Sequence, residues 1–284
     1  MKLLWICTQI KTPTFVDIGR CNMDGLCNIN IELTSRCNKS CKICGRRKRE
    51  QEDPSVKETY GDIDFDLLPI IEKQLPSNIV VQLHNNGEPL MYPYFGDAVK
   101  IFKRQISSID TNGKLILYKM NEIIDNLDTM AISVIEEDPE SEEQMDLIHS
   151  FLTIKGKWKP YVVLRLNGNV DRDKYAVFGV PIATRNLHSP MGSYDYTKRV
   201  TIPEIGICHE FLSHLSIDRN GTVSICVRFD PEGKGILGNI KDQSLEEMWS
   251  SNKRLEWLKL HRLGRRKEIP LCSKCDYWGI PTGW

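Results

Sequence analysis

Three cysteines within eight residues, Cys37-x3-Cys41-x2-Cys44, constrain this chain more than any other feature. Residues 29–35 just upstream alternate, with Ile29, Ile31 and Leu33 on one side, and predict a strand that delivers the chain directly into the Cys37 loop. Cysteine is the usual ligand of a cubane iron-sulfur cluster, and three thiolates in one loop can hold three of its irons. No fourth cysteine belongs to the motif, so one iron is left open to bind a substrate or cofactor. The competing reading is half of a structural zinc site, for which paired C-x2-C units are the expected pattern.

The chain has 284 residues, ten of them cysteine, and Lys plus Arg 38 balances Asp plus Glu 38. That length buries enough surface to fold without metal, and disulfides serve small exported chains, so clustered thiols point to metal binding or chemistry. Zero net charge argues against wholesale phosphate-backbone binding, and no nucleic-acid partner is expected. The longest apolar runs, at 78–83 and 161–166, are far too short for a bilayer, and the N-terminus shows no signal peptide. The reading is a cytoplasmic protein with no membrane partner. No cysteine lies between Cys44 and Cys208, so two separate sites are implied.

Between them, strand-like and helix-like segments alternate. Strands are predicted near 79–84, 106–110, 130–135, 161–167 and 180–186, and helices at 62–75, 93–105, 119–127 and 139–154. Such repetition means an α/β fold, with parallel strands covered by helices and ligands at the strands' C-terminal ends. From about residue 200 the pattern changes. Residues 211–218 and 222–229 alternate about Asn220-Gly221, a hairpin signal. A helix opened by Ser244, with Glu247 completing a capping box, a helix over 251–264 and Cys272-x-x-Cys275 follow. The basic run 46–49 and the acidic run 136–143 read as solvated helix ends.

Cys208 and Cys226 flank the hairpin, and Cys272-x-x-Cys275 can complete a four-thiolate site, with tetrahedral zinc as the competitor. Cys7, Cys21 and Cys27 read as ordinary thiols. His84, Arg165 and His188 could line the cavity, His84 and His188 as candidate proton acceptors.

On Cys37, Cys41, Ile43 and Cys44 the chain resembles the radical S-adenosylmethionine superfamily, whose signature is C-x3-C-x-Φ-C after the first strand of a partial (β/α)6 barrel. The resemblance implies a [4Fe-4S] cluster that binds S-adenosylmethionine and splits it to a 5′-deoxyadenosyl radical. It further implies that Ile43 packs beside the adenine and that Gly87 and Glu88 meet the methionine ammonium, with Asn86 in place of a family glycine. Asn112 and Ser133 are the remaining contacts the resemblance implies, and Arg165 is counted with the cofactor-binding residues from its place near a strand end. C-x12-G-x4-C followed by C-x2-C is similar to the SPASM and twitch extensions of that superfamily. Four cysteines here, against seven in a full SPASM domain, imply the twitch form with one auxiliary [4Fe-4S] cluster.

The organisation expected is an N-terminal extension (1–28), a partial barrel (29–200) and an auxiliary-cluster domain of β-hairpin and helices (201–284). The activity expected is hydrogen abstraction from an organic substrate, with net oxidation and the auxiliary cluster as electron acceptor. A flavodoxin or ferredoxin is the expected reductant, and the substrate is a small molecule or a peptide. The alternatives are a ribosomal-peptide maturase and, more distantly, a non-catalytic zinc or iron-sulfur protein that binds nucleic acid.

Overall fold

Alternation along the strands sorts this chain into an apolar and a polar face. In the computed structural model, which describes residues 23–185, 208–226, 230, 232–273 and 275, chain order runs β1 (Asn28–Ile31), α1 (Gly45–Glu52), α2 (Leu67–Lys73), β2 (Val80–Gln82), α3 (Phe95–Ile101), β3 (Ile106–Thr111), α4 (Met120–Ile123), β4 (Thr129–Ile135), α5 (Ser141–Lys155), β5 (Tyr161–Asn167) and α6 (Arg172–Ala176). Then come β6 (Ile182–Arg185), α7 (His209–Ser213), β7 (His214–Ile217), β8 (Thr222–Ser224), β9 (Ile236–Asn239), α8 (Leu245–Trp249) and α9 (Asn252–Arg262). Ile29, Ile31, Val81, Ile109, Met130, Ile132, Val134, Leu164 and Leu166 are all buried toward the helices. Each such side chain contributes about 1.5–3 kcal/mol relative to exposure. Residues of the opposite parity, including Asn30, Gln82, Asp110, Ser133, Arg165 and Arg185, share the inner face.

The parallel half is the expected partial (β/α)6 barrel, with strands in the order β6-β5-β4-β3-β2-β1. The C-terminal strands do not form a separate sheet. β7 pairs with β1 in parallel, Asn30 opposite Ser216, and β8 and β9 continue antiparallel, so the described strands make one nine-stranded sheet. Gly221 stands at φ 85 in the β7–β8 turn, where a residue with a Cβ is strained.

Several boundaries differ from the pattern. β1 stops at Ile31, because the chain leaves the sheet to form the cysteine loop. Residues 211–213 belong to α7, not to a strand: Phe211 turns into a second small core with Ile225, Trp257, Ile269 and Leu271. α1 and α6 went unpredicted, and α2, α3 and α4 are shorter than expected. The capping box is present, with the Ser244 side chain accepting from Glu247 N–H and the Glu247 carboxylate from Ser244 N–H. Among the described residues no helix is long and apolar enough to cross a membrane.

Candidate iron-sulfur sites

The three clustered cysteines lie beyond the C-terminal end of β1, in a loop pinned on several sides. Thr34 Oγ1 donates to Gly61 O (3.2 Å) and accepts from Arg36 N–H (3.1 Å), and Arg36 pairs with Asp62. Cys44 N–H donates to Cys41 O (3.1 Å) and Arg47 N–H to Cys44 O (2.9 Å), so α1 begins immediately after the last cysteine, with Cys44 at its N-cap. The helix terminus there favours negative charge. Lys39 is buried against Asp138 in the loop before α5, while Asn38 Oδ1 accepts from Asn112 Nδ2 (2.8 Å). The same Nδ2 stands 3.7 Å from Cys37 Sγ.

Gly87 explains why glycine follows Asn86. A Cβ there would sit 1.9 Å from Thr34 O and 2.7 Å from Arg36 O, so the loop after β2 packs backbone to backbone beneath the cysteine loop. Glu88 N–H donates to Arg36 O (2.8 Å). The buried Glu88 carboxylate accepts from Leu90 N–H (3.1 Å), Thr111 Oγ1 (2.7 Å) and Asn112 N–H (2.8 Å). Burial nevertheless outweighs these bonds and pushes its pKa up to about 7. Gln144 Nε2 donates to the carbonyls of Asn112 (2.7 Å) and Ser133 (3.0 Å), tying β3 to β4 behind the loop. Ile43 is half-buried between its two cysteines.

The basic run 46–49 is not uniformly solvated. Arg46 is buried, donates Nη1 to Asn86 O (3.0 Å), lies 4.3 Å over the Tyr60 ring and stands 3.6 Å from Glu50. In the acidic run, Asp138 is likewise buried, by Lys39.

On the inner face, His84 Nδ1 accepts from Asp110 N–H (2.9 Å), which places the neutral ring's proton on Nε2, 3.5 Å from Asp110 Oδ2. Burial, with Arg165 and Arg185 nearby, lowers the His84 pKa to about 3. Arg165 pairs with Asp110 in turn. His188, Cys7 and Cys21 lie outside the described residues, and the Cys27 thiol is exposed.

The second group collects around the small core. Cys208 caps α7, and Cys226 follows β8, its carbonyl accepting from Ser216 Oγ (3.2 Å). Cys208, Cys226 and Cys272 pack against Phe211, Ile225, Trp257, Ile269 and Leu271. Buried Arg266 donates Nη1 to the carbonyls of Cys272 (2.8 Å) and Cys275 (3.1 Å), and buried His261 holds Nε2 3.7 Å from Cys272 Sγ.

Both groups suit clusters. Burial raises the thiols of Cys41 and Cys272 to about 12, with neighbouring cysteines adding to it: Cys44 and Cys37 for one, Cys275 and Cys208 for the other. Deprotonation there calls for a metal to take the charge. Among the described residues no three His, Cys, Asp or Glu side chains form a group that could hold a metal ion. A cubane spreads its thiolates around four irons and needs no such convergence on one point. A cavity of about 440 Å³ reaches from Arg46 and Glu32 on the first side to Ser216 and Cys226 on the second. Asn38, Lys39, His261 and Arg266 were not singled out from sequence, and Arg46 reads there only as part of a solvated basic run, since partners distant in the chain leave no spacing signal.

Residues 208–276 match the SPASM family, an iron-sulfur cluster-binding domain. Over 95 residues the chain is 34% identical to the tungsten-containing aldehyde ferredoxin oxidoreductase cofactor-modifying protein of Pyrococcus furiosus, a match covering 32% of this chain and 25% of that protein. It is 21% identical over 262 residues to the S-adenosyl-L-methionine-dependent 2-deoxy-scyllo-inosamine dehydrogenase of Niallia circulans, covering 89% of this chain and 94% of the relative. The crystal structure of BtrN in complex with AdoMet and 2-DOIA superposes with a TM-score of 0.62 at 18% identity, over 91% of this chain and 96% of that one. The C-terminal match makes residues 208–276 an iron-sulfur cluster-binding domain of the SPASM family, and the likeness to the solved structure shows that the chain shares its partial-barrel fold.

Proposed function

We propose that the chain oxidises a carbinol carbon of a small polyhydroxylated amine to a carbonyl: a hydrogen atom would pass from the carbon to a 5′-deoxyadenosyl radical, the hydroxyl proton to solvent, and the remaining electron to the auxiliary cluster. The observation that carries this reading is a set of unsatisfied acceptors on the inner face, where Asn28 Oδ1, Asn30 Oδ1 and Asp110 Oδ1 are buried and accept no hydrogen bond from the protein. Buried acceptors call for donors, and hydroxyl and ammonium groups supply them. The Niallia circulans relative is named for a substrate of that class.

When bound, a cluster on Cys37, Cys41 and Cys44 with S-adenosylmethionine would supply a 5′-deoxyadenosyl radical, and one on Cys208, Cys226, Cys272 and Cys275 an electron acceptor. Glu88 orients the cofactor's ammonium, because Oε2 already accepts Asn112 N–H and keeps a second lone pair. Gly87 lets that loop approach the cysteines, Ile43 borders the adenine, and Asn112 and Ser133 line the cofactor's edge. Arg165 closes the cofactor side of the inner face. His84 orders Asp110 and Arg165 beside the substrate rather than taking its proton, since its Nδ1 is engaged.

Anaerobically reconstituted protein, reduced by dithionite in place of a flavodoxin or ferredoxin, should cleave S-adenosylmethionine to 5′-deoxyadenosine. The triple change of Cys37, Cys41 and Cys44 to Ala should abolish cleavage. Assays with 2-deoxy-scyllo-inosamine and with a short peptide separate the two substrate classes. A protein carrying about eight irons that forms no 5′-deoxyadenosine would refute the reading.

A further inference from the structure

His261 sits on α9 at 0% exposure, its ring stacked 4.7 Å from that of Phe211 and its Nε2 3.7 Å from Cys272 Sγ. Phe211, on which it stacks, belongs to the second apolar core. A leucine or phenylalanine would fill that space without burying a polar ring, so packing alone does not account for an imidazole. A cysteine that ligates a cluster is a thiolate and only accepts hydrogen bonds, which makes Nε2 the donor in the loaded protein. Hydrogen bonds to cluster sulfurs are among the determinants of reduction potential, and a donor favours the more negative, reduced state. Arg266 acts in the same direction, a buried cation whose Nη1 binds the carbonyls of Cys272 (2.8 Å) and Cys275 (3.1 Å).

We infer that His261 is a positioning residue that raises the reduction potential of the auxiliary cluster by donating Nε2–H to the Cys272 sulfur. The inference rests on the reading of Cys208, Cys226, Cys272 and Cys275 as cluster ligands. It goes further in assigning the site a poise toward accepting an electron, which a purely structural cluster does not need.

The test uses the full chain with Cys37, Cys41 and Cys44 changed to Ala, so that the auxiliary cluster gives the only paramagnetic signal and no turnover is involved. In a redox titration followed by electron paramagnetic resonance, His261→Phe should disfavour reduction about tenfold, or 59 mV for one electron. His261→Gln keeps an N–H and should recover most of that shift. Independently, protein labelled with ¹⁵N-histidine should show a nitrogen coupling to the reduced cluster in pulsed spectra. An unchanged potential in a His261→Phe protein that retains about four irons would overturn the inference. Absence of the nitrogen coupling would overturn it even where the Phe variant loses its cluster. Stoichiometric zinc in place of iron would remove the cluster reading and the inference together, whereas iron with an unmoved potential removes the inference alone.

Discussion

The two cysteine groups occupy opposite settings. Cys37, Cys41 and Cys44 ride on the rim of a large core that runs from Met23 to Trp249 and does not include them. The C-terminal cysteines surround five buried apolar residues, and Cys208, Cys226 and Cys272 are part of that packing. A ligand set mounted on a finished core is free to serve chemistry, whereas one that substitutes for a core couples metal binding to folding. The line between the two does not follow the chain. Leu215, Ile217, Val223, Leu245 and Met248 belong to the large core, so β7, β8 and α8 are held by the barrel, while α7, α9 and the final loop depend on the second site.

The largest expected effect breaks this comparison outright if it is wrong. Cys272→Ala with Cys275→Ala should remove the second cluster and locally unfold α9 and the loop after it, seen as lost amide protection and rapid proteolysis there, with β7 retained. Changing Cys37, Cys41 and Cys44 to Ala should leave stability within about 1 kcal/mol while abolishing 5′-deoxyadenosine formation. Equal destabilisation by the two sets would refute the distinction.

Gly87→Ala comes next. Its Cβ would meet Thr34 O at 1.9 Å, and backbone cannot give way cheaply. A loss of about 3 kcal/mol is expected, with iron falling at the first site and persisting at the second. Full iron at both sites would mean that the two loops are not in contact.

A pH effect of intermediate size should come from the barrel side. His84 is held neutral, its pKa lowered from 6.5 to about 3. Above 6.5 neither the folded nor the unfolded chain protonates it, so it contributes no slope. Between 6.5 and about 3 the unfolded chain takes up the proton and the folded one does not, so stability falls with pH by about 1.4 kcal/mol per unit from this group. Glu88, raised by burial to about 7, works in the opposite sense, losing its contribution as pH rises from 4.5 through 7. The signature of His84 is therefore a difference: His84→Gln should flatten the acid limb of urea midpoints between pH 6 and 4. An unchanged limb would mean that the ring is solvated.

What could be read in advance follows from range of interaction. Period-two alternation and short-range spacing exposed the barrel strands, the Asn220-Gly221 hairpin and both cysteine groups. α1 escaped because its sequence, Gly45 to Glu52, has no apolar face; Arg46 is held instead by Asn86, 40 residues away, and by the Tyr60 ring. Residues 211–213 alternate like a strand, but burial of Phe211 in the second core decides for helix. The groups that position the candidate ligands pair across the fold, Asn38 with Asn112 and Lys39 with Asp138, at separations of 74 and 99 residues. Periodicity has no access to such pairs.

The smallest effect sharpens where the boundary runs. Ser244 caps α8, accepting from Glu247 N–H at 3.2 Å, and the next N–H, that of Leu245, is taken by Gln74 Oε1 at the end of α2 (2.8 Å). α8 therefore lies between Cys226 and Cys272 in sequence yet buries Leu245, Met248 and Trp249 in the barrel core. Ser244→Ala removes one cap acceptor and should cost about 1 kcal/mol of global stability. Because the helix is anchored to the barrel, that loss should appear in the main unfolding transition, with auxiliary iron content and the local opening of α9 unchanged. Selective loosening of α9 in this variant would show that α8 belongs with the metal-dependent region and would move the boundary back across it.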